Sequence, residues 1–174
     1  MRQIPLGGQL AADLGLVGIV DDEDYDQVSQ FRWRTRTNRG DARQVYVCRT
    51  VYPEGKRGKQ ILLHLHQFLM PAPEGMTVDH INGDGLDNQR SNLRFATYSQ
   101  NAANRQLPYA RRSSQFKGVT WDKSHSRWMA QIGTPSGHRT LGRFRDEESA
   151  ARAYDAAALE TWGEFAYINF REVI

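Results

Sequence analysis

The sequence predicts an α+β chain in two parts. A strand–turn–strand–helix module follows a β-rich extension, and a three-stranded antiparallel sheet packed on one helix comes after it. Three observations predict this. Short β-branched and aromatic runs, broken by Gly, Pro and Asn turns, fill the chain. MTVDH (76–80) and LRFA (93–96) flank an Asn/Gly-rich turn and lead into a helical pattern, ATYSQNAANR. FKGVTWDKSHSRWMAQIGTPSGHRTLGRF (116–144) holds three β runs ahead of a single Ala-rich helix. The 174 residues suffice for one domain or two small ones.

Residues 1–70 read as short strands. VYVCRTV (45–51) is one, and PEGKRGK (53–59) is a turn-rich break. QILLHLHQFLM (60–70) is a buried strand or a short helix, and periodicity leaves both open. PAPEG (71–75) punctuates the start of the next module. MTVDH is a strand, NGDG (82–85) supplies the positive-φ positions of a turn, and LRFA is the returning strand. Thr97 and Gln100 stand in capping-box spacing, with Thr97 as N-cap and Asn101 about one turn into a helix that packs against the first strand. QLPYARRSSQ (106–115) has linker composition. There is no internal repeat.

Bulk properties exclude several classes. No window approaches ~18 consecutive apolar residues, so no membrane-spanning helix is expected, and MRQIPLGGQLAADLG lacks signal-peptide character. Cys48 is the lone cysteine, which excludes an internal disulfide and fits a reducing interior. The net charge of +3 hides a strong segregation. Residues 105–145 carry nine Lys or Arg against one acid, Asp122, whereas residues 146–174 carry seven acids against Arg152 and Arg171. DDEDYD (21–26) adds five more acids. The pattern predicts one basic surface for a polyanion and an acidic side facing away.

Asp79 and His80 end the first strand of the module, and Asn101 lies on its helix. Phosphodiester hydrolysis needs a water, a base for its proton, and positive charge near the phosphate. A neutral imidazole serves as base near pH 7, and a hard divalent cation held by few oxygens supplies the charge. Regular pleating sends Asp79 and His80 to opposite faces, so a shared site needs the strand to break at His80. DHINGDG departs from calcium-loop spacing, because Ile81 and Gly83 stand at ligand positions. Zinc spacing is absent too: His64-x-His66 reads as one face of a strand.

VDHINGDGLDNQRSNLRFATYSQN (78–101) resembles, across its full span, the HNH (ββα-metal, His-Me finger) nucleases, particularly the HNH homing endonucleases of phages and introns. The resemblance implies His80 as general base and Asp79 and Asn101 as ligands of one divalent ion. It implies Asn92 as the middle Asn that ties the loop and holds the histidine. Asn101 stands where the family name would put a histidine, which favours Mg²⁺ or Mn²⁺. Asn88 and Arg94 are read as support for the loop and the backbone phosphates, and His66 as a core or supporting residue.

In the last segment Trp128, Ala130 and Ile132 alternate with Arg127, Met129 and Gln131, giving one apolar and one polar face. Asp146 caps the helix and Gly163 ends it. The runs F-K-G-V, R-W-x-A-x-I, L-G-x-F, E-E-x-A-A-x-A-Y-D-x-A-A and G-x-x-A-x-I-N-F resemble the AP2/ERF DNA-binding domain over 116–170. That resemblance implies docking in a major groove through Lys117, Thr120, Lys123, Arg127, Gln131, His138 and Thr140. Thr120 and Thr140 depart from the Arg and Trp of plant members, so plant-type sequence reading is not implied. Trp128 and Trp162 are read as core rather than base-stacking groups, and Trp121, near the end of the first strand, fits either place.

The expected organisation is a ββα-metal nuclease domain with its β extension over 1–105, a basic linker over 106–115, and an AP2-like domain over 116–174. Arg111 and Arg112 of the linker track the phosphate backbone, and Arg32, Arg34, Arg36 and Arg39 of QFRWRTRTNRG extend the sheet or contact DNA. The expected activity is that of a homing or nicking DNA endonuclease leaving 5′-phosphate and 3′-hydroxyl ends. The expected setting is a monomer on double-stranded DNA inside the cell, the cytoplasm of a bacterial host if the protein is phage-encoded, with no membrane or small-molecule substrate. The alternative is a catalytically inactive, sequence-specific DNA-binding regulator; an RNA-processing nuclease fits the AP2-like sheet less well.

Overall fold

The computed structural model describes residues 1–38, 41–53, 55, 58–106 and 113–170. The chain divides into two compact units, Met1–Thr97 and Tyr98–Ile174.

In the first unit, β1 (Arg2–Gly7), β2 (Val17–Val20), β3 (Trp33–Asn38), β4 (Asp41–Val51) and β5 (Ile61–His64) form one sheet in the order β2-β1-β3-β4-β5. β1 pairs parallel with β3, and every other neighbour is antiparallel. The extension is therefore not purely β: α1 (Gln9–Leu14) and α2 (Asp22–Ser29) connect its strands. Three acids in the first turn of α2 complement the positive helix N-terminus. The acidic run was expected to face solvent, yet Asp24 is buried and takes two bonds from Arg90 at 2.8 Å. A buried carboxylate needs such a partner. QILLHLHQFLM becomes both options at once, β5 followed by α3 (Leu65–Leu69). Ile4, Val20, Val28, Trp33, Val47, Leu65 and Leu69 pack as one core, and the Trp33 indole N–H donates to the Val28 carbonyl at 2.9 Å.

β6 (Met76–His80) and β7 (Leu93–Thr97) form the expected antiparallel pair, with Asp79 opposite Arg94 and His80 opposite Leu93. α4 (Tyr98–Asn104) starts directly after Thr97, the residue assigned as its cap, and belongs to the second unit.

The second unit continues with β8 (Val119–Asp122), β9 (Arg127–Thr134) and β10 (Gly137–Phe144), ordered β10-β9-β8, and α5 (Glu147–Trp162). The Asp146 carboxylate caps α5 by accepting from the Ser149 N–H at 2.7 Å, and Gly163 follows the last turn. Small residues let α5 lie close on the sheet: Ala150, Ala151, Ala157 and Ala158 are buried against Val119, Ala130 and Ile132. Tyr154 sits directly over Gly118, whose φ is +77° and whose missing Cβ leaves room for the ring. Gly118→Ala is expected to destabilise this unit by about 2–5 kcal/mol, combining left-handed backbone strain with overpacking; chemical denaturation of the full chain measures it. Among the described residues no helix is long and apolar enough to cross a membrane.

Candidate active site and nucleic-acid interface

The loop between β6 and β7 is a closed hydrogen-bond network. The Asn82 and Asp84 side chains accept from the backbone two residues on, at 2.8 and 2.9 Å, making consecutive Asx turns. Asn92 spans the loop: its Oδ1 accepts from the Asn82 N–H at 3.0 Å, and its Nδ2 donates to Asn82 Oδ1 and the Asp87 carbonyl at 3.0 and 2.8 Å. The extension braces this loop from outside. Ile19 exchanges backbone bonds with Leu86 and Asn88 at 2.8 Å, and the Arg90 N–H donates to Asp21 at 2.7 Å. Residues 1–30 thus fix the conformation of the loop that begins just after His80.

His80, the last residue of β6, is 5% exposed. Its Nε2 lies 3.3 Å from Asn88 Oδ1. Asn88 is fully buried, and its Nδ2 donates to the Gly85 and Leu86 carbonyls at 3.3 and 3.1 Å. A flipped amide would set its oxygen against those two carbonyls, so Oδ1 must face the imidazole and Nε2 must carry the proton. The lone pair then resides on Nδ1. Asn88, left out of the chemistry by sequence reasoning, is the residue that sets this tautomer; no local spacing announces a contact that only loop closure creates. Asn88→Ala is expected to release the tautomer and slow any His80-dependent cleavage by about 5- to 30-fold, the equivalent of a hydrogen bond of about 1–2 kcal/mol. ¹⁵N NMR of the metal-free wild type should read the Nε2–H form; an Nδ1–H form would overturn the assignment.

An unforeseen aromatic cluster surrounds His80. The His66 ring meets it edge-on at 4.8 Å between centroids, Tyr46 lies 6.0 Å away, and His64 stacks on His66 at 5.2 Å. Burial pushes the His80 pKa down, opposed by the Asn88 bond and by Asp79, Asp84 and Asp87. Burial also drives His66 down to about 2, helped by His80 and His64. Nδ1 of both His64 and His66 is buried without a hydrogen-bond partner among the described residues. His66 is therefore neutral packing against His80, in line with its expected core or supporting role.

Asp79 is 4% exposed, and its Oδ2 accepts from Arg94 Nε at 3.0 Å and Nη2 at 2.9 Å. Asn101 lies on α4, in the second unit. Among the described residues no group of three His, Cys, Asp or Glu side chains converges. The Asp79 carboxylate is a hard oxygen donor, of the kind that Mg²⁺ and Mn²⁺ take.

In the second unit the register assigns the sheet faces. Thr120 opposes Met129, Asp122 opposes Arg127, Gln131 opposes Thr140, and Gly133 opposes His138, so these residues share the face away from α5. Arg127, His138 and Thr140 are exposed there, with Thr120 and Gln131 half-buried; Lys123 is exposed in the turn that follows β8. The structure places Lys117 elsewhere. It is buried, and its ammonium donates to the carbonyls of Ala103 and Arg105 (2.9 Å to the latter). Its backbone is clamped by Asn169, itself held by Asp155. Lys117 ties the unit together instead of standing on the open face. Arg143 was missed: a bulge between Thr140 and Gly142 shifts the alternation and turns Arg143 outward opposite Met129. Arg143 donates to Asp122 at 2.7 Å, and this bond, with the neighbouring His125, holds the Asp122 carboxyl at about 2. Trp121 pairs with Trp128 on the helix side but is exposed there, so it does not join the core. Arg111 and Arg112 lie outside the described residues.

This geometry defines a loop-braced histidine beside a buried carboxylate, and separately an open β-sheet face backed by a helix. Residues 67–103 match the HNH endonuclease family model. An uncharacterized HNH endonuclease of Acanthamoeba polyphaga mimivirus is 30% identical over 162 residues, 89% of this chain and 75% of that protein. An AP2-like ethylene-responsive transcription factor of Oryza sativa subsp. japonica is 36% identical over 84 residues, and one of Arabidopsis thaliana is 44% identical over 64 residues. These cover 47% and 36% of this chain but only 13% and 11% of the transcription factors. The chain belongs to the HNH endonuclease family.

Proposed function

We propose that this protein is a metal-dependent DNA endonuclease of the homing or nicking type, docked on duplex DNA by its AP2-like sheet. The observation that carries the reading is His80: a buried imidazole whose Nε2 is committed to Asn88, leaving Nδ1 as the proton acceptor, within the family-matched segment. His80 takes the proton from the attacking water. Asn92 and Asn88 hold the loop and the ring. Asp79 and Asn101 would hold one Mg²⁺ or Mn²⁺, which supplies positive charge to the phosphate and the leaving 3′-oxygen. Arg127, Gln131, His138 and Thr140 dock on the groove, with Thr120, Lys123 and the linker's Arg111 and Arg112 beside them. One such site in a monomer cuts one strand.

A second reading draws on one observation. The Asp79 carboxylate is already engaged by the Arg94 guanidinium, as suits a DNA-binding regulator that has kept the nuclease module as scaffold. Incubation of the full chain with supercoiled plasmid separates the two. Conversion to open circle with Mg²⁺ and none in EDTA is the result expected of the nuclease. Tight DNA binding without conversion under either condition supports the regulator.

A further inference from the structure

The arginines of β3 have a place in the first unit that the proposed function does not use. Register puts Arg34, Cys48 and His64 in one cross-strand row and Arg36 with Tyr46 in the next. Directly opposed residues share a face of the sheet, so Arg34, Arg36, Tyr46 and His64 stand together. The other face carries Trp33 and Val47 into the core. The Arg-bearing face does not end at the sheet edge. The Tyr46 ring lies 5.8 Å from His64, 6.1 Å from His66 and 6.0 Å from His80, so the arginine rows run without a break into the packing around the candidate base.

The charge on this face is available. Arg90 and Arg94 of the same unit are taken up by Asp24 and Asp79. Arg34 and Arg36 are exposed, and neither makes an ion pair with a described residue. Arg34 donates to the Thr50 hydroxyl at 3.0 Å, which orients the guanidinium without neutralising it. Arg36 lies close enough to His64 for its charge to lower that imidazole's pKa, behind the larger effect of burial. The carboxylates of the β6–β7 loop are spent on their own turn: Asp84 accepts from Leu86, and Asp87 accepts from Asn82 and Gln89.

We propose that this face is a second DNA contact, on which Arg34 and Arg36 grip consecutive phosphates of the strand that passes His80. The inference rests on the nuclease reading, because the polyanion is identified by what the neighbouring base would act on. Guanidinium groups suit phosphate oxygens through paired N–H donors. Two cations side by side on a rigid sheet fix the register of a strand without reading its sequence. The extension then has two tasks, bracing the His80 loop from one side and guiding the substrate strand from the other.

Binding in EDTA tests the contact without any cleavage. The probe is a mixed-sequence DNA duplex, and the readout is the slope of log K against log salt for the full chain. The double variant Arg34→Gln/Arg36→Gln should flatten the slope by about 1 for each arginine lost. Arg36→Gln alone carries half the effect and keeps the bond between Arg34 and Thr50. Arg49→Gln is the control: it removes the same charge from β4, but Arg49 stacks on Phe31 at 3.8 Å and faces the other way, so the slope should hold. A wild-type slope in the folded double or single variant overturns the inference. So does equal flattening by Arg49→Gln, or tighter arginine-dependent binding to an RNA duplex than to DNA. A protein that nicks plasmid while keeping its slope loses this contact alone. One that never nicks but shows the flattening loses the nuclease reading alone.

Discussion

Substituting alanine for His80 is expected to slow plasmid nicking by about two to four orders of magnitude, the contribution of a positioned general base, while DNA affinity in EDTA stays unchanged. The size follows from the environment. The imidazole is buried and neutral, and its Nε2 is committed to Asn88. No other described side chain on this loop is arranged to take the proton: Asn92 is spent on the loop backbone, and neutral His66 packs behind the ring. Alanine also removes a ring that Tyr46 and His66 pack against, so thermal melting must accompany the rate. His80→Gln keeps more of the packing and cannot act as a base at neutral pH; it should be as slow as the alanine variant. A His80→Gln protein that nicks at the wild-type rate would remove His80 from the chemistry.

Arg94→Met is expected to lower stability by about 3–5 kcal/mol, because it strips the partner from a buried carboxylate. The Asp79 and Arg94 side chains are 5% and 11% exposed, so little solvent screens the pair. Adding Mg²⁺ or Mn²⁺ should restore part of the loss, since a cation bound at Asp79 stabilises the folded state by mass action. Combining Arg94→Met with Asp79→Asn should recover most of it without metal, because the buried charge that lost its guanidinium is then gone. Calorimetry of the three proteins checks the order. A loss below about 1 kcal/mol for Arg94→Met would mean that the pair behaves as a solvated surface bridge. A loss that metal does not relieve would count against Asp79 as a ligand.

The β6–β7 hairpin was legible because its two strands, its Asn-Gly turn and its fixed Asp-His position are all local in sequence. The second sheet was legible for a similar reason, since alternation and turn residues determine which residues pair. The features that were not legible depend on contacts far apart in the chain. DDEDYD looked like a solvated acidic stretch, but Arg90, 66 residues beyond Asp24, pulls that carboxylate inside. Lys117 looked like a groove contact, but Asn169 and the Ala103 and Arg105 carbonyls hold it in the interior. One extra residue at the β10 bulge turned Arg143 to the open face, and no alternation rule carried forward from His138 would have put it there.

By itself, the sequence determined the local elements on which Asp79, His80, Asn92 and Asn101 stand, because turn propensity, strand alternation and capping act over a few residues. The tertiary structure decided which nitrogen of His80 bears the proton, that Asp79 is buried against Arg94, and that the β3 arginines line a face continuous with the packing around His80. Each of those outcomes is a matter of burial and of partners brought together by folding, and neither exists until the sheet, its bracing helix and the loop have closed on one another.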